Sequence, residues 1–246
     1  MDSPLLDVSM SKSFGKIDVL RDIRFRVRPN EFLVVVGPTG CGKTTLGNIL
    51  SGIDKPTSGH VRIMGEDVNP HIHNISYVLQ EPSCIPWYTM MQDVTMGLEI
   101  RGVGRAEAVS RGSEVIKLVG LEGYENYYPW QISGGMKQRV AIARAYATSP
   151  DLLIMDEPFG HLDAQTRYLM QIEIMRIWEQ DRKTVVFITN NIEEAVYLAS
   201  RILVLTKLPA TIKKEYVVDI PRPRDLTDER FLEVRAEITQ QCEIVE

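Results

Sequence analysis

Few cysteines and no long apolar run occur in this sequence. Its three cysteines, Cys41, Cys84 and Cys242, have neither the spacing of a metal site nor the number of a disulfide framework. No segment approaches the run of about 20 apolar residues that a membrane-spanning helix needs. The first residues lack a basic region followed by an apolar one, so we expect no secretory signal. These absences predict a soluble chain in a reducing compartment, which another subunit must hold if it works at a membrane.

An excess of basic residues is also missing. The formal net charge is −5 at pH 7. Proteins that bind nucleic acid usually carry a basic surface, which displaces counterions from the phosphates, so we expect no nucleic-acid partner. The apolar fraction of 44% and the charged fraction of 25% are ordinary for a globular protein. A chain of 246 residues can therefore form one large domain or two small ones.

Short apolar runs predict buried strands in both halves of the chain. Residues 32–36 form a β-branched run that stops at Gly37, and residues 152–155 and 185–188 form two similar runs. Such continuous runs are typical of strands that are buried on both faces. Residues 22–28 alternate instead between apolar and charged side chains, which predicts a half-buried strand. Because helical sequence separates the buried runs, we predict an α/β fold with a largely parallel sheet.

The middle of the chain has no strand pattern. Between residues 82 and 150, the segments 106–119 and 136–147 have the spacing of helices. We therefore predict that 82–150 is a helical insertion between two halves of a sheet domain. Residues 206–246 contain three prolines and then a charged, helical end.

A phosphate-binding loop is predicted directly after the first buried run. Residues 37–44 match G-x-x-x-x-G-K-[ST] at every fixed position and precede a predicted helix. Lys43 would neutralise the β- and γ-phosphates of a nucleotide, and the hydroxyl of Thr44 would bind Mg²⁺. The alternative is a glycine-rich turn without a ligand. The residues that we predict to contact the phosphates are Gly37, Pro38, Thr39, Gly40, Cys41, Gly42, Lys43, Thr44 and Thr45.

Two carboxylates follow the second buried run. Asp156 and Glu157 stand at the carboxyl end of the strand predicted at 152–155, where parallel sheets bind their ligands. Asp156 would bind Mg²⁺, directly or through water, and Glu157 would take a proton from the attacking water or orient it. An ordinary polar strand end is the alternative, and the phosphate loop upstream makes it the weaker one.

A third motif carries a resemblance to a family. The sequence Ile132-Ser133-Gly134-Gly135-Met136-Lys137-Gln138-Arg139 resembles the signature motif of ABC ATPases. Its serine and glycines at a helix start suit an anion, although a capped helix with a Gly-Gly linker fits the local sequence equally well. The resemblance implies a P-loop NTPase (RecA-like) core with an antiparallel β subdomain and an inserted helical subdomain. It also implies a head-to-tail dimer in which Ser133, Gly134 and Gly135 contact the γ-phosphate bound by the other subunit.

Further single residues match this family. Gln80 resembles the glutamine that senses Mg²⁺ and the attacking water, and an exposed turn glutamine is its alternative. Phe14 is similar in position to an aromatic residue that stacks on adenine, and a core phenylalanine is a serious alternative. Asp163 resembles a residue of the loop that couples the two sites. The resemblance divides the chain into three parts. Residues 1–81 and 151–205 form a nucleotide-binding core with the β subdomain, residues 82–150 form a helical signature subdomain, and residues 206–246 form a C-terminal tail.

Two less specific motifs resemble a subfamily that imports nitrate, sulfonate, taurine or bicarbonate. They are Gln80-Glu81-Pro82 followed by Pro86-Trp87, and residues 218–224. The resemblance implies a membrane permease, a substrate-binding protein and a peripheral location at the cytoplasmic face of the inner or plasma membrane. The aromatic run 84–88 is a candidate for the permease docking groove, with local packing as its alternative.

One position departs from the family. The family expects a histidine where this chain has Asn190, and that histidine contacts the γ-phosphate and the attacking water. Asparagine donates hydrogen bonds but has a shorter reach and cannot become a cation. We hypothesise that two copies hydrolyse ATP slowly and that the chain pairs with a second ATPase subunit that carries the histidine. The alternative is that Asn190, or a water it holds, suffices.

Three functions therefore compete at this point. The first is a transport ATPase with ATP and Mg²⁺ as cofactors. The second is a soluble ABC ATPase that acts on nucleic acid or ribosomes, which the acidic composition and the lack of a tandem cassette disfavour. The third is a regulatory subunit that barely hydrolyses ATP, which Asn190 favours and Lys43, Asp156 and Glu157 disfavour.

Overall fold

A computed structural model describes residues 3–160 and 162–243. These residues form two compact units, which comprise residues 3–73, 154–156 and 183–243, and residues 74–153, 157–160 and 162–182, respectively. The strands are β1 (Leu6–Phe14), β2 (Ile17–Val27), β3 (Phe32–Val36), β4 (Ser58–Ile63), β5 (Glu66–Asp67), β6 (Ile75–Val78), β7 (Leu152–Asp156), β8 (Thr184–Thr189), β9 (Arg201–Leu205) and β10 (Ile212–Val217). The helices are α1 (Lys43–Leu50), α2 (Met90–Ile100), α3 (Arg105–Leu118), α4 (Gly134–Ala147), α5 (Ala164–Gln180), α6 (Ile192–Leu198) and α7 (Glu229–Glu243).

A mainly parallel sheet forms the core of the first unit. β3 pairs in parallel with both β8 and β9, and β10 adds an antiparallel edge beside β9. The end of β7, Ile154–Asp156, lies next to β8. Every residue of β3, β7 and β8 is buried, because continuous apolar runs suit strands that are covered on both faces. The buried strands and the parallel sheet predicted from the sequence are confirmed.

A second sheet in the same unit is antiparallel, with the strand order β2-β1-β4-β5. Along β2, Ile23, Phe25 and Val27 are buried and the arginines between them are exposed, as the alternation over 22–28 predicts. β1 alternates in the same way, but the sequence analysis did not assign it. The ends of β1 and β3 therefore belong to the same unit, so Phe14 and the phosphate loop lie in one compact part of the chain.

Helices dominate the second unit. No strand occurs among its described residues between β6 and β7, and α3 and α4 confirm the helices predicted at 106–119 and 136–147. Helix α2 was not predicted, although its start carries a capping box: Thr89 Oγ1 accepts from the Gln92 amide at 3.3 Å, and Gln92 Oε1 accepts from the Thr89 amide at 2.9 Å.

The C-terminal part of the chain belongs to the first unit. It contains β10, which the sequence analysis did not predict, and α7, which confirms the helical end. None of the helices that the structure describes is both long and apolar enough to cross a membrane.

Candidate nucleotide site

The phosphate loop connects β3 to α1 in the first unit. Gly40 and Gly42 have φ values of 77° and 106°, which L-residues with side chains rarely adopt. A Cβ at Gly42 would also lie 2.7 Å from Val19 Cγ1, and one at Gly37 would lie 2.9 Å from Cys41 Sγ. Glycine is therefore required at these positions by backbone conformation and by close packing.

The end of the loop offers positive charge. Lys43 is 5% exposed, and its Nζ donates to the carbonyl oxygens of Gly37 at 2.9 Å and Pro38 at 3.1 Å. Thr44, beside it, is exposed. In the described structure no side chain caps the start of α1, and its first turn contains no acidic residue. The first amides of α1 and its helix dipole are therefore suited to an anion held by the loop.

Two neighbouring strands of the first unit end at the same edge of the parallel sheet. Val36 pairs with Thr189, so Gly37 and Asn190 leave neighbouring strands at the same level. Asp156, 3% exposed, ends β7, which is the next strand beyond β8. The sheet thus places Asn190 level with the phosphate loop, at the edge where α/β sheets bind ligands, and Asp156 lies on the next strand.

The turn that carries Asn190 is held by buried hydrogen bonds. Thr189 Oγ1 donates to Glu194 Oε2 at 2.6 Å and accepts from the Asn191 amide at 3.0 Å. Asn191 Oδ1 accepts from the amides of Glu193 and Glu194 at 2.9 and 3.2 Å and so caps α6. Asn190 itself is exposed. The supporting role of Thr189 and Glu194 was not predicted, although the N-cap sequence Asn-x-Glu-Glu at 191–194 is a local signal for this turn.

Phe14 ends β1 with 51% of its surface exposed, so it is not a core phenylalanine. Lys12 Nζ lies 4.6 Å from the centroid of its ring and 2.8 Å from Asp54 Oδ1. The hydrogen bond from Lys12 holds the pKa of Asp54 below its usual value. The adenine contact of Phe14 stays a prediction, but its ring is open to a planar partner.

The signature motif lies in the second unit. Ser133 is exposed, and its Oγ accepts from the Met136 amide at 3.3 Å, which makes it the N-cap of α4. A Cβ at Gly134 would meet no atom within 4 Å, whereas one at Gly135 would lie 3.3 Å from Thr166 Cγ2. The local structure therefore matches the alternative given for this motif, a capped helix that begins with two glycines. An exposed helix start with small residues is also compatible with an anion.

Asp163 caps α5 in the same unit. Its carboxylate accepts from the Thr166 amide at 3.0 Å and from Thr166 Oγ1 at 2.7 Å. These bonds hold the pKa of Asp163 below its usual value, so it is ionised at neutral pH. Asp163 therefore has a structural role as the N-cap of α5, and its predicted role in coupling the two nucleotide sites stays a prediction.

Glu157 occupies an unusual backbone conformation. Its φ is 44°, and its carbonyl oxygen accepts from the Gly160 amide at 3.0 Å. Residues other than glycine adopt this region at a cost of about 1–3 kcal/mol, and such strain concentrates at functional sites. Gln80 is exposed, and its Nε2 lies 3.7 Å from the position that a Cβ would take on Gly160. The second unit therefore brings Gln80 next to the turn that begins with Glu157.

The candidate docking run 84–88 is only partly exposed. Trp87 is 73% exposed, whereas the Ile85 amide donates to Asp93 Oδ2 at 2.8 Å. Asp93 is buried and also pairs with Arg144 at 2.8 Å. The start of this run packs locally, whereas Trp87 is largely exposed, and the docking role stays a prediction.

The oxygen ligands that Mg²⁺ prefers are available in the first unit. No group of three or more His, Cys, Asp or Glu side chains in the described chain is arranged to hold a metal ion by itself. The carboxylate of Asp156 and the exposed hydroxyl of Thr44 nevertheless fit a Mg²⁺ that takes its other ligands from phosphates and water.

Comparisons with known proteins agree with this geometry. The family model described as ABC transporter matches residues 20–160. An aliphatic sulfonates import ATP-binding protein of Bacillus cereus is 39% identical over 95% of this chain and 92% of its own length. A taurine import ATP-binding protein of Pseudomonas aeruginosa is 43% identical over 83% of this chain and 78% of its own length.

A solved structure is similar over almost the whole chain. It is a dimeric ATP-binding cassette in a post-hydrolysis state, bound to ADP and Pi. The similarity has a TM-score of 0.75 at 30% identity, and it covers 88% of this chain and 100% of that one.

Proposed function

The chain belongs to the ABC transporter family, and from that premise we propose that it is the ATP-hydrolysing subunit of an importer for a small sulfonate or a related anion. The family and the fold class predicted from the motifs are thereby confirmed. One observation carries the proposal for hydrolysis: β3 and β8 are paired in parallel, so the phosphate loop and Asn190 leave these strands at the same level, and Asp156 ends the strand next to β8.

The residues of this edge have distinct tasks. The loop amides and Lys43 bind the β- and γ-phosphates, because a helix N-terminus and an ammonium group both favour negative charge. Thr44 and Asp156 would hold Mg²⁺, which would supply positive charge to offset the negative charge of the phosphates. Asn190 donates a hydrogen bond to the γ-phosphate, and Phe14 stacks on the adenine ring.

Glu157 and Gln80 act on the attacking water. The carboxylate of Glu157 accepts a hydrogen bond from this water and takes its proton as the new P–O bond forms at the γ-phosphorus, while the bond from that phosphorus to the β–γ bridging oxygen breaks and ADP leaves with the electron pair. Gln80 orients the water and would be an oxygen ligand of Mg²⁺; its position beside the turn of Glu157 in the second unit supports the role toward the water. The strained φ of Glu157 supports this assignment, since strain of this kind is retained where it positions a reacting group.

A second ATPase chain completes the site in this proposal. Ser133, Gly134 and Gly135 of one chain contact the γ-phosphate bound by the other, and Asp163 couples the two sites. The exposure of Ser133 and the open space at Gly134 support this arrangement. The partner is a second copy or a related ATPase subunit, joined head to tail.

The membrane partner is a permease, which receives cargo from a substrate-binding protein, and the chain acts from the cytoplasmic face as a peripheral subunit. The exposed Trp87 and its neighbours supply the docking surface, because aromatic residues are favoured at interface cores. The relatives named for sulfonates and for taurine favour a sulfonate as cargo. Deletion of the gene in its host tests this: growth on taurine or an alkanesulfonate as sulfur source is lost and growth on sulfate is kept, and unimpaired growth on sulfonates overturns the cargo assignment.

Steady-state ATP hydrolysis by the purified chain with Mg²⁺ tests the enzymatic part. The matched blank is Glu157→Gln, which keeps size and hydrogen bonding but cannot take a proton. Turnover above this blank supports a homodimeric ATPase. Firm ATP binding without turnover assigns hydrolysis to an assembly with another subunit, and failure to bind ATP overturns the proposal.

Asn190 favours a second candidate, a pair of unlike ATPase chains with one weak site. A hydrogen-bond donor that stabilises the transition state contributes a factor of about 10²–10³ in rate, and asparagine replaces the expected histidine here. Purification from the native host separates the candidates. A second ATPase chain in equal amount with the permease supports the mixed pair, and two copies of this chain alone overturn it.

A further inference from the structure

The C-terminal part of the chain holds α6 at its carboxyl end. Arg222 Nη2 donates to the carbonyl oxygen of Leu198 at 2.6 Å. Arg224 Nη1 donates to the carbonyl oxygens of Val196 at 2.7 Å and Tyr197 at 2.9 Å. Two guanidinium groups thus satisfy the last carbonyls of this helix and complement the negative end of its dipole.

Arg224 also ties these carbonyls to its own segment. It is 5% exposed, and it donates through Nε to the carbonyl oxygen of Ile220 at 3.2 Å and through Nη2 to that of Val218 at 3.1 Å. A buried guanidinium with four such bonds in a fixed fork geometry leaves little freedom between residues 218–224 and the end of α6.

The same part of the chain reaches the start of α6. Arg235, on α7, pairs with Glu193 Oε2 at 3.1 Å, and both side chains are about half exposed. Glu193 lies in the first turn of α6, three positions after Asn190. The C-terminal part therefore contacts both ends of a helix of only seven residues.

A displacement of α6 changes the position of Asn190. β8 ends at Thr189 and the N-cap of α6 is Asn191, so Asn190 is the single residue between them. β8 is fixed by its parallel pairing with β3, which leaves no slack in the connection. Because asparagine has a short side chain, the reach of its amide depends on where the backbone places it.

We propose that residues 218–243 are a positioning element for Asn190, which acts on α6 through Arg224 and Arg235. This inference rests on the proposed function, since it concerns the residue that contacts the γ-phosphate. Arg224 and Arg235 are positioning residues, because they act through α6 and touch no reacting atom. Loss of the contact that Arg224 or Arg235 makes with α6 therefore alters the rate of hydrolysis and leaves the affinity for ATP, which the phosphate loop provides, unchanged.

Charge reversal at the exposed pair tests this without disturbing the core. Arg235→Glu places two carboxylates next to each other and lowers kcat about fivefold. KM for ATP stays that of the parent, and the melting temperature stays within about 2 °C of the parent value. The double variant Arg235→Glu with Glu193→Arg restores opposite charges and returns kcat to within about twofold of the parent. The matched control is Glu237→Lys, which breaks the 3.9 Å pair of α7 with Lys214 on β10 and leaves kcat at the parent value.

A parent-like kcat in Arg235→Glu, no recovery in the double variant, or an equal loss in Glu237→Lys overturns the inference. Turnover of the parent above the Glu157→Gln blank establishes the proposed function separately. If the parent shows no turnover, amide hydrogen exchange over residues 190–194 decides: faster exchange in Arg235→Glu that the double variant reverses supports the positioning role, and unchanged exchange overturns it.

Discussion

Phe14 shows how exposure separates a binding residue from a packing one. A phenylalanine that is half exposed at a strand end contributes little to the core, and its ring faces a solvent-accessible side. The ammonium of Lys12 close to the ring adds positive charge beside the place where a nucleotide base would stack.

Phe14→Ala is expected to weaken ATP binding about tenfold, because stacking on a base contributes about 1–3 kcal/mol. The melting temperature without nucleotide stays that of the parent, and Phe14→Tyr, which keeps the ring, binds ATP as the parent does. Titration calorimetry with ATP measures all three. Equal affinity of the alanine variant and the parent would remove Phe14 from the site.

Asn190 is the residue at which this chain departs from its family. It lies on a firmly held turn level with the phosphate loop, so a longer side chain at this position gains reach toward the γ-phosphate.

Asn190→His is therefore expected to raise kcat at least about tenfold, since a preorganised donor that also carries charge stabilises the transition state more strongly. Asn190→Ala is the control and lowers kcat below that of the parent. Steady-state hydrolysis at saturating ATP provides the comparison. A histidine variant no faster than the parent would mean that asparagine already suffices.

At the scale of elements, side-chain caps at helix starts serve packing and chemistry together. Ser133 caps α4 and Asp163 caps α5, and both lie in motifs to which the family resemblance gives a role at the dimer interface. A substitution that keeps the helix cap but disturbs the predicted phosphate contact separates these two roles.

Ser133→Asp provides this test. Aspartate is a good N-cap and favours the positive end of the helix dipole, so the stability of the chain is kept. Its charge repels the γ-phosphate of a partner chain, so ATP no longer drives dimer formation in a Glu157→Gln background. Ser133→Ala removes the capping oxygen and loses about 1 kcal/mol of stability, and because it adds no charge it weakens ATP-driven dimerisation less than Ser133→Asp does. Thermal unfolding and size-exclusion chromatography with ATP report the two effects, and normal dimerisation of Ser133→Asp would refute the role at the interface.

At the scale of the whole molecule, ligand binding and stability are linked. A ligand that binds only the folded chain stabilises it by about 2.7 kcal/mol when present at 100 times its Kd. For a chain of this length that free energy corresponds to an increase in melting temperature of about 5–10 °C.

We expect this increase for the parent with ATP and Mg²⁺, a smaller one after chelation of Mg²⁺, and none for Lys43→Ala. Differential scanning fluorimetry measures the three conditions. Val8→Ala, which weakens the core away from the loop, is the control: it melts lower but keeps the increase with ATP. The same increase in Lys43→Ala and the parent would show that the nucleotide binds elsewhere.

Local signals carried much of the prediction. Continuous apolar runs identified β3, β7 and β8, since burial on both faces leaves no room for polar residues, and the glycines of the phosphate loop marked a backbone that side chains would not permit. The strands β5 and β6 escaped because they have only two and four residues, and β4 escaped because Val61 and Ile63 are the only buried apolar side chains among its six residues.

The sequence by itself determined the family, and it predicted the phosphate loop, the acidic strand end and the departure at Asn190, because each depends on neighbouring residues. Only the tertiary structure decided that Phe14 is exposed and that the C-terminal part holds α6. Arg224 and Val196 are 28 positions apart, and Arg235 and Glu193 are 42 apart. Contacts at such separations arise from the packing of whole elements, which no local pattern encodes.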